Sequence, residues 1–308
     1  MEQPVIIVLG ASGFIGRNVS LALSSRGYRV HGVGHGNWNE NEWSRWGILR
    51  WTPADITLAA LKEAAKSEIP LAAIHCAGTG SVALSFSDPL GDYEKSVNST
   101  AILLEFARCF SVKPRVVLIS SAAVYGSQNK GDFTEDSTCS PVSPYGFNKL
   151  AAENICKTYS HFFGVPSTIV RLFSVYGNGL RKQLLWDAMN KFGRDEYEFF
   201  GCGDELRDWI HIEDASQIIV NAAIMQQDIF EIFNGAHTKA SVREVLRNLL
   251  QFSGLPFQPR FNGVIQPGYP LRLSADLRRV QNSLNWSPRI TLADGLMRYV
   301  TWFKDGAL

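Results

Sequence analysis

The sequence predicts an α/β protein in which a doubly wound parallel sheet is joined to a smaller, mixed α/β C-terminal domain. Three observations support this fold class. Strand-like and helix-like segments alternate through the first half of the chain, a glycine-rich turn follows the first strand-like segment, and the alternation changes after Tyr176. Alternating strands and helices are typical of a parallel sheet that is covered by helices on both faces.

Five strands are predicted in the first half from short apolar runs that are rich in β-branched residues. Such runs indicate strands that are buried on both faces. They cover residues 5–9, 28–33, 71–76, 115–120 and 167–174. Between them, apolar residues recur at helical spacing. This spacing predicts helices over residues 14–25, 58–67, 93–110 and 145–163.

The second half of the chain has a different order of elements. Its predicted helices cover residues 183–192, 213–226, 242–252 and 292–303, and its predicted strands cover residues 209–212 and 229–234. We therefore predict two domains that are interleaved in sequence. The first spans residues 1–175 plus about 206–236, and the second spans about 176–205 and 237–308.

The composition excludes several classes of protein. The 308 residues include 30 Lys and Arg and 29 Asp and Glu, which gives a net charge of +1. The chain therefore lacks the excess of basic residues that is typical of nucleic-acid-binding proteins. The apolar runs fall far short of the ~20 residues that cross a bilayer, and no secretory signal is present, so we expect a cytoplasmic protein without membrane contact. Five cysteines without a Cys-x-x-Cys pair and six histidines without a His-Glu-x-x-His motif indicate neither a disulfide framework nor a metal site.

The turn after the first strand has the spacing of a dinucleotide-binding loop. In such a loop the first glycine permits a tight turn, the second lets the backbone approach a pyrophosphate, and the third allows the helix to pack closely on the strand. The N–H groups that open the helix then face the phosphates. We therefore predict a Rossmann-type site for NAD or NADP at Gly10, Ser12, Gly13, Phe14, Ile15 and Gly16.

The residues after the second strand leave the choice between NAD and NADP open. An acidic residue at this position would bind the adenosine ribose of NAD, but the sequence reads Val33-Gly34-His35-Gly36. The missing carboxylate leaves room for a 2′-phosphate, which His35 or Arg17 could contact. The two side chains are equally consistent with ordinary polar loop residues.

Tyr145 and Lys149 form a candidate catalytic pair. They are four residues apart within a predicted helix, so they lie on one helical face. A lysine near a tyrosine favours the phenolate and lowers the tyrosine pKa, which suits acid/base work near neutral pH. Ser121 ends a predicted strand some two dozen residues earlier, and strand ends are where open α/β sheets bind ligands. Its hydroxyl could bind a reacting sugar oxygen beside Tyr145.

These motifs, in this order along nearly the whole chain, resemble those of the extended short-chain dehydrogenase/reductases, specifically the NAD(P)-dependent nucleotide-sugar epimerase/dehydratase family. Besides the glycine turn and the Ser and Tyr-x-x-x-Lys motifs, further segments match family patterns. They are Ala54-Asp55-Ile56, His75-Cys76-Ala77-Gly78, Val97-Asn98-Ser99-Thr100, Arg171-Leu172-Phe173-Ser174-Val175-Tyr176-Gly177 and residues 200–214.

The resemblance implies a role for each matching residue. Tyr145 would take a proton from a sugar hydroxyl while the sugar carbon passes hydride to the nicotinamide, Ser121 would hold the same oxygen, and Lys149 would bind the nicotinamide ribose. A nucleotide-diphosphate sugar and a homodimer with a four-helix interface are also implied. Beyond the glycine turn, the residues implied to bind the cofactor are His35, Asp55, Ile56, Ala77, Asn98, Tyr145 and Lys149, and those implied to bind the substrate are Ser174, Arg207 and Arg272.

The residues before Val124 narrow the reaction. Family members that dehydrate their substrate commonly carry Asp-Glu there, and decarboxylases usually carry Glu, whereas this chain has Ala122-Ala123, whose methyl groups cannot move protons. Epimerisation at C4 through a transient 4-keto intermediate is favoured. The alternative is reduction of a 4-keto-6-deoxy nucleotide sugar by NADPH. The absence of an acidic ribose-binding residue near Gly34 slightly favours this alternative. A non-catalytic dinucleotide-sensing protein is less favoured, because such proteins typically lack the Tyr or the Lys.

Two departures from the family pattern concern the substrate. Ser174 stands where the family usually has Asn. At the Arg-x-Gly-Asp segment near the C-terminus the chain reads Gln266-Pro267-Gly268-Tyr269, so an expected diphosphate-binding arginine is absent. Arg272 is close enough in sequence to replace it, and Arg181 and Lys182 are alternatives. The sequence therefore leaves the identity of the sugar and of the base open.

Overall fold

A seven-stranded parallel sheet forms the centre of the computed structural model, which describes residues 3–127, 131–226, 230–265, 268 and 270–306. The strands of the chain are β1 (Val5–Leu9), β2 (Arg29–Gly34), β3 (Ile48–Pro53), β4 (Ala72–His75), β5 (Arg115–Ser121), β6 (Ser167–Leu172), β7 (Ser174–Tyr176), β8 (Glu198–Phe199), β9 (Leu206–His211), β10 (Phe230–Gly235), β11 (Thr238–Ser241), β12 (Arg260–Phe261) and β13 (Arg272–Leu273). The order across the central sheet is β3-β2-β1-β4-β5-β6-β10. This arrangement confirms the predicted α/β fold class.

Helices cover both faces of this sheet. The helices of the described residues, in chain order, are α1 (Phe14–Ser24), α2 (Glu40–Trp43), α3 (Leu58–Ala65), α4 (Val82–Ser87), α5 (Pro89–Tyr93), α6 (Ser99–Arg108), α7 (Pro144–Phe163), α8 (Gln183–Phe192), α9 (Ile212–Ile224), α10 (Val242–Ser253), α11 (Arg278–Leu284) and α12 (Leu292–Lys304). Apolar residues of α1 and α9 pack on one face, and those of α3, α6 and α7 pack on the other. Strand β1 is buried along its whole length, as its unbroken apolar sequence predicts.

The later elements form a second, smaller sheet with its own core. Strand β9 pairs with β7, β11 and β13, and helices α8, α10 and α12 pack around it. The sequence assigns β9 to the first domain, whereas its hydrogen bonds lie in this second sheet. Helix α11 returns to the first core, where Val280 and Leu284 pack with residues of α9. The division into two sequence domains stays a prediction.

Several elements differ from the sequence-based expectation. Strand β3 is not predicted, because it is an edge strand whose side chains are largely accessible and whose sequence, Ile-Leu-Arg-Trp-Thr-Pro, lacks an apolar run. The single helix predicted over residues 93–110 is interrupted by a π-helical turn, Glu94–Asn98, between α5 and α6. Such a turn inserts an extra residue and rotates the rest of the helix relative to the part before it. Residue 229 of the predicted strand 229–234 lies outside the described residues.

The described part of the chain has no helix that is both long and apolar enough to span a bilayer. Within the same residues, no group of three or more His, Cys, Asp or Glu side chains could hold a metal ion. All five cysteines are free thiols.

Candidate active site

A cavity of about 720 Å³ lies where the carboxyl ends of the central strands meet the second sheet. Cys76 and Ala77 follow β4, Ser121 ends β5 and Ser174 follows β6, and all four line this cavity. Side chains of α8, β8 and β9 form the opposite wall. The cavity therefore lies at the edge of the sheet where doubly wound folds bind their ligands.

The glycine turn is shaped to let a ligand approach its backbone. Gly10 adopts φ +71°, and a Cβ there would lie 2.7 Å from the backbone nitrogen of Ala77 on the neighbouring strand end. A Cβ on Gly16 would lie 2.1 Å from the carbonyl oxygen of Gly10. These contacts force glycine at both positions and seat the start of α1 against β1.

The N-terminus of α1 is available to an anion. Gly13 supplies no side-chain cap, and the first turn carries no acidic residue. Gly13, Phe14 and Ile15 line the cavity. Uncapped N–H groups at a helix N-terminus favour a phosphate, so the turn fits the pyrophosphate of a dinucleotide.

The structure brings Ser121, Tyr145 and Lys149 together on the cavity wall. The Ser121 side chain lies near enough to the Tyr145 phenol to lower its pKa, and the Ser121 hydroxyl accepts a hydrogen bond from the Ala123 amide at 3.2 Å. The Ser143 side chain caps α7 by accepting from the Gly146 amide, and Pro144 occupies the first turn. These features fix the helix start that carries Tyr145.

The pKa values of this group differ from the sequence-based expectation. Burial raises the pKa of Tyr145 to about 12, an effect that the Ser121 side chain opposes and the charge of Asp92 reinforces. The lowering by Lys149 that the sequence predicts is not among the causes of this shift; the ammonium lies 5.8 Å from the centre of the phenol ring and donates to the carbonyl oxygen of Ile119 at 2.9 Å. Burial also lowers the pKa of Lys149, which Asp92 partly restores.

The residues expected near the adenosine form a separate, exposed group. His35 and Asp55 make an ion pair of 3.0 Å between Nε2 and Oδ1, with side chains 75% and 79% exposed. The Ser12 hydroxyl donates to the backbone oxygen of His35. A Cβ on Gly34 would lie 3.0 Å from the Trp51 ring. The groups near the end of β2 are therefore the imidazole of His35, the carboxylate of Asp55, which comes from the loop after β3, and the indole of Trp51. The end of β2 itself carries no acidic residue.

Two other residues considered for this region lie apart from that ion pair. The guanidinium of Arg17 stacks over Trp46, 5.3 Å from the ring centre, and its Nε donates to the Gly13 carbonyl oxygen at 3.4 Å. Ile56 packs against the core on the α3 side of the sheet. Arg17 therefore lies nearer to the phosphate end of the glycine turn than to His35.

Asn98 is not among the described residues that line the cavity, and its assignment to the cofactor stays a prediction. Asn98 ends the π-helical turn with an exposed side chain. Ser96, two residues earlier and therefore on the opposite side of the helix, is buried. Its hydroxyl has no hydrogen-bond partner among the described residues and lies 4.0 Å from the point a Cβ on Gly78 would occupy, while Lys149 Nζ lies 3.7 Å from the same point. Ser96 is the polar group beside Lys149 that sequence reasoning missed.

On the opposite wall, the two predicted arginines have different surroundings. Arg207 lines the cavity from β9, with its guanidinium donating to the Leu206 carbonyl oxygen at 2.9 Å. Arg272 instead donates to the Gly131 carbonyl oxygen and pairs with Asp132 at 3.6 Å, and it is not among the cavity-lining residues described. Its aliphatic neighbour on β13 lines the cavity because alternate side chains of a strand point to opposite sides. The substrate-binding assignment of Arg272 is therefore not supported by its position.

A second uncapped helix opens onto the cavity. Lys182 precedes α8 without capping it, and the first turn of α8 has no acidic residue. Lys182 and Gln183 reach across to the loop after β4, where they donate to the carbonyl oxygens of Thr79 and Gly80 at 3.4 and 3.2 Å. Gln183 has a φ of +67°, which is rare for a residue with a side chain. This wall can therefore bind an anion through both a cation and free amides.

Several further residues of interest also lie at the cavity. Ala122 and Ala123 line it and bring no ionisable group to it. Gln266, Pro267 and Tyr269 lie outside the described residues, whereas Gly268 lines the cavity. Phe200 and Trp209 add aromatic surface that sequence reasoning did not single out.

Comparison with known proteins identifies relatives along the whole chain. The sequence model of the NAD dependent epimerase/dehydratase family matches residues 6–234. A UDP-glucuronate 4-epimerase of Thermodesulfobacterium geofontis is 28% identical over 97% of this chain and 96% of its own. A protein named as a putative UDP-glucose 4-epimerase of Methanocaldococcus jannaschii is 27% identical over 98% of this chain and 99% of its own.

A solved structure has the same architecture. The UDP-glucuronic acid 4-epimerase of Bacillus cereus, in complex with UDP-glucuronic acid and NAD, is 27% identical and superimposes with a TM-score of 0.88. The superposition covers 98% of this chain and 99% of that protein. Both sheets and the cavity between them therefore lie within the shared fold.

Proposed function

The chain belongs to the NAD dependent epimerase/dehydratase family, and we propose that it is a nucleotide-sugar 4-epimerase that works with bound NAD. The observation that carries the proposal is the placement of the Ser121 and Tyr145 hydroxyls, with Lys149, on a cavity that also opens to the glycine turn. The curated relatives named as 4-epimerases span nearly the full length of the chain, which supports the same reaction.

The proton chemistry is assigned to the two hydroxyls. Tyr145 accepts the proton of the sugar C4 hydroxyl and returns it, while Ser121 donates a hydrogen bond to the same oxygen. When bound, oxidised NAD supplies a hydride acceptor and a positive charge that favours the phenolate of Tyr145. That charge is needed because the pKa of the phenol is otherwise held at about 12. Lys149 binds the nicotinamide ribose and keeps the helix face aligned.

The surroundings of Ser121 favour epimerisation over elimination. A dehydratase needs an additional acid and base beside the sugar, and Ala122 and Ala123 supply neither. In epimerisation the same Tyr145 serves both directions, since the sugar needs only to present its opposite face.

NAD is the cofactor that we assign to the glycine turn. Gly10 and Gly16 seat the start of α1 against β1, Gly13 lets the backbone approach the pyrophosphate, and the uncapped start of α1 faces it. The Bacillus cereus neighbour holds NAD. The adenosine end of NAD would lie against His35 and Asp55. Because β2 ends without an acidic residue, Asp55 is the acidic group that can reach the adenosine.

A uridine-diphosphate sugar is the proposed substrate. Arg207, Lys182 and the uncapped start of α8 place positive charge and free amides on the wall that faces Tyr145. A diphosphate is the substrate group that such a wall fits. The relatives named above include enzymes for UDP-glucuronate and UDP-glucose, and the two sugars differ at C6.

The protein is proposed to form a homodimer through α5, α6 and α7. Leu90 and Tyr93 on α5 and Phe147 on α7 are 68%, 48% and 59% exposed. Exposed apolar groups on neighbouring helices are typical of a covered surface. Because α5, the π-helical turn and α6 follow one another directly as one interrupted helix, pairing this segment and α7 with those of a second copy would make a four-helix interface.

The test is turnover of UDP-glucuronate and of UDP-glucose, followed by chromatography or NMR that separates the C4 epimers. We expect conversion of at least one sugar with no net consumption of dinucleotide.

Tyr145→Phe should abolish conversion, because the proton acceptor is lost, while NAD binding measured by fluorescence stays near wild type. Stoichiometric NADPH oxidation with a 4-keto-6-deoxy sugar nucleotide would favour the reductase instead. Wild-type turnover by Tyr145→Phe would remove the proposed role of this residue.

A further inference from the structure

A buried carboxylate lies next to the Tyr145 and Lys149 pair and has no role in the chemistry proposed above. Asp92 of α5 is 0% exposed. Its Oδ1 accepts a hydrogen bond from the Thr79 hydroxyl at 2.5 Å, and its Oδ2 accepts one from the Asn148 side-chain amide at 2.8 Å. Both donors are neutral.

The two donors, Thr79 and Asn148, lie on two different elements that border the cavity, the loop after β4 and helix α7. Thr79 lies in the loop after β4, whose neighbours Gly78 and Gly80 line the cavity. Asn148 precedes Lys149 and is three residues after Tyr145, so all three side chains lie on adjoining faces of α7. Asp92 therefore ties the cavity loop to the part of α7 that carries the catalytic pair.

The charge of Asp92 also needs compensation. Among the described residues, no Lys, Arg or His atom forms an ion pair with it, and an isolated charge in the interior is costly. Lys149 is the one lysine among the described residues that is buried, and its ammonium donates to a neutral carbonyl oxygen. Asp92 of α5 and Lys149 of α7 are thus buried ionisable groups of opposite sign on two helices that pack together, and each is hydrogen-bonded to neutral partners.

The other ionisable groups around Lys149 act on it less strongly than Asp92 does. Glu153 on α7 is already paired with Arg171 at 2.7 Å. The pKa of the Cys76 thiol is raised to about 12 by burial, so the thiol is neutral. The pKa of His75 is lowered to about 3, so the imidazole is also neutral. The side chains that shift the pKa of Tyr145 are those of Ser121 and Asp92.

We propose that Asp92 is a positioning residue for the catalytic pair, holding Lys149 in its charged form and, through Thr79 and Asn148, fixing the helix face against the cavity loop. The inference rests on the proposed function, because it assigns Tyr145 and Lys149 to substrate and dinucleotide. Loss of the carboxylate lowers the proton affinity of both Tyr145 and Lys149, since its negative charge favours the protonated form of each.

The test is the pH dependence of NAD affinity, followed by tryptophan fluorescence, for the wild type and Asp92→Asn. Affinity should fall at alkaline pH as Lys149 loses its proton and its charge-assisted hydrogen bond to the ribose. Asp92→Asn keeps the size of the side chain and an acceptor for Thr79 but removes the charge. We expect its alkaline fall to begin about one pH unit lower, which is about tenfold weaker binding at a pH on that limb. The control is Glu94→Gln, which removes an exposed carboxylate two residues away and should follow the wild-type curve.

Two results would overturn the inference. One is an Asp92→Asn curve with the wild-type midpoint. The other is uniform weakening at every pH, which indicates only a structural role. If Asp92→Asn does not fold, Asp92→Ser removes the charge with a smaller side chain and should move the midpoint in the same direction; an unmoved midpoint would then refute the proposal. Failure of the wild type to bind NAD counts against the proposed function itself, which separates the two failures.

Discussion

The phenol of Tyr145 and the hydroxyl of Ser121 meet at the carboxyl edge of the sheet, and each is fixed by its own backbone. Ser121 ends β5 and caps the next turn by accepting from the Ala123 amide. Tyr145 lies in the first turn of α7, whose start is held by Ser143 and Pro144. Positions fixed in this way lose little side-chain freedom on binding, so the hydroxyl pair is pre-organised for one oxygen of the substrate.

The two arginines of the second sheet give a matched pair of substitutions. Arg207→Ala should raise the KM for a UDP-sugar by about tenfold or more with little change in NAD affinity, because a charge-assisted contact to the diphosphate is lost. Arg272→Ala is the control, since Arg272 is bound to Gly131 and Asp132. Steady-state kinetics of both variants measure this. A larger KM for Arg272→Ala than for Arg207→Ala would reverse the assignment.

At the scale of the element, the β1–turn–α1 unit shows how local sequence makes a ligand site. The helix can begin directly above the strand end only if residue 16 has no side chain, because a Cβ there would meet the carbonyl of Gly10. The same closeness leaves the first amides of α1 open toward the cavity. The close packing of α1 on β1 and the ability to bind a phosphate therefore both follow from the spacing of the glycines in the turn.

Gly16→Ala should separate α1 from β1. The added methyl would lie 2.1 Å from a backbone oxygen that cannot move freely, so we expect a loss of about 1–3 kcal/mol in the free energy of unfolding and much weaker NAD binding. Gly193→Ala is the control, because its Cβ would meet nothing nearer than 3.5 Å at the end of α8. Urea unfolding and a binding titration measure both effects. Wild-type NAD affinity in Gly16→Ala would contradict this account of the turn.

For the molecule as a whole, buried histidines should make stability depend on pH. His75 lies in the central sheet, 1% exposed, with its Nε2 hydrogen-bonded to the Ser99 hydroxyl at 2.8 Å. Burial lowers its pKa to about 3. Between that value and the ordinary value near 6.5 the unfolded chain binds the extra proton, so stability rises with pH across this window and is lost on acidification.

From this residue alone the free energy of unfolding should be about 2 kcal/mol smaller at pH 5 than at pH 7. His75→Gln can keep a hydrogen bond to Ser99 but cannot titrate, so the difference between the two pH values should shrink by about that amount. Urea unfolding at pH 5 and pH 7 tests this. An undiminished difference in His75→Gln would place the acid sensitivity elsewhere in the protein.

The exposed apolar residues of α5 and α7 give a prediction about assembly. Phe147→Arg should convert a dimer to a monomer, because burying an unpaired guanidinium at the centre of an apolar interface is unfavourable. Leu49→Arg changes an equally exposed apolar residue on the edge strand β3 and should leave the dimer intact. Light scattering after size-exclusion chromatography measures the mass of each variant. A dimer that persists in Phe147→Arg would rule out this face as the interface.

The sequence by itself determined the features that depend on neighbours along the chain. The bounds of β1 and α8 follow from runs and spacings of apolar residues. The glycine turn and the Tyr145–Lys149 spacing are equally local, because a turn and one face of a helix are fixed by a few consecutive residues.

Only the tertiary structure decided which side chains share a space. It buried Ser96 and left Asn98 exposed, because a π-helical turn sets which side of that segment faces the sheet. It placed Arg207 on the cavity and Arg272 away from it, and it brought Asp92 beside α7. These outcomes depend on packing between segments far apart in sequence, and such contacts leave no periodicity within either segment.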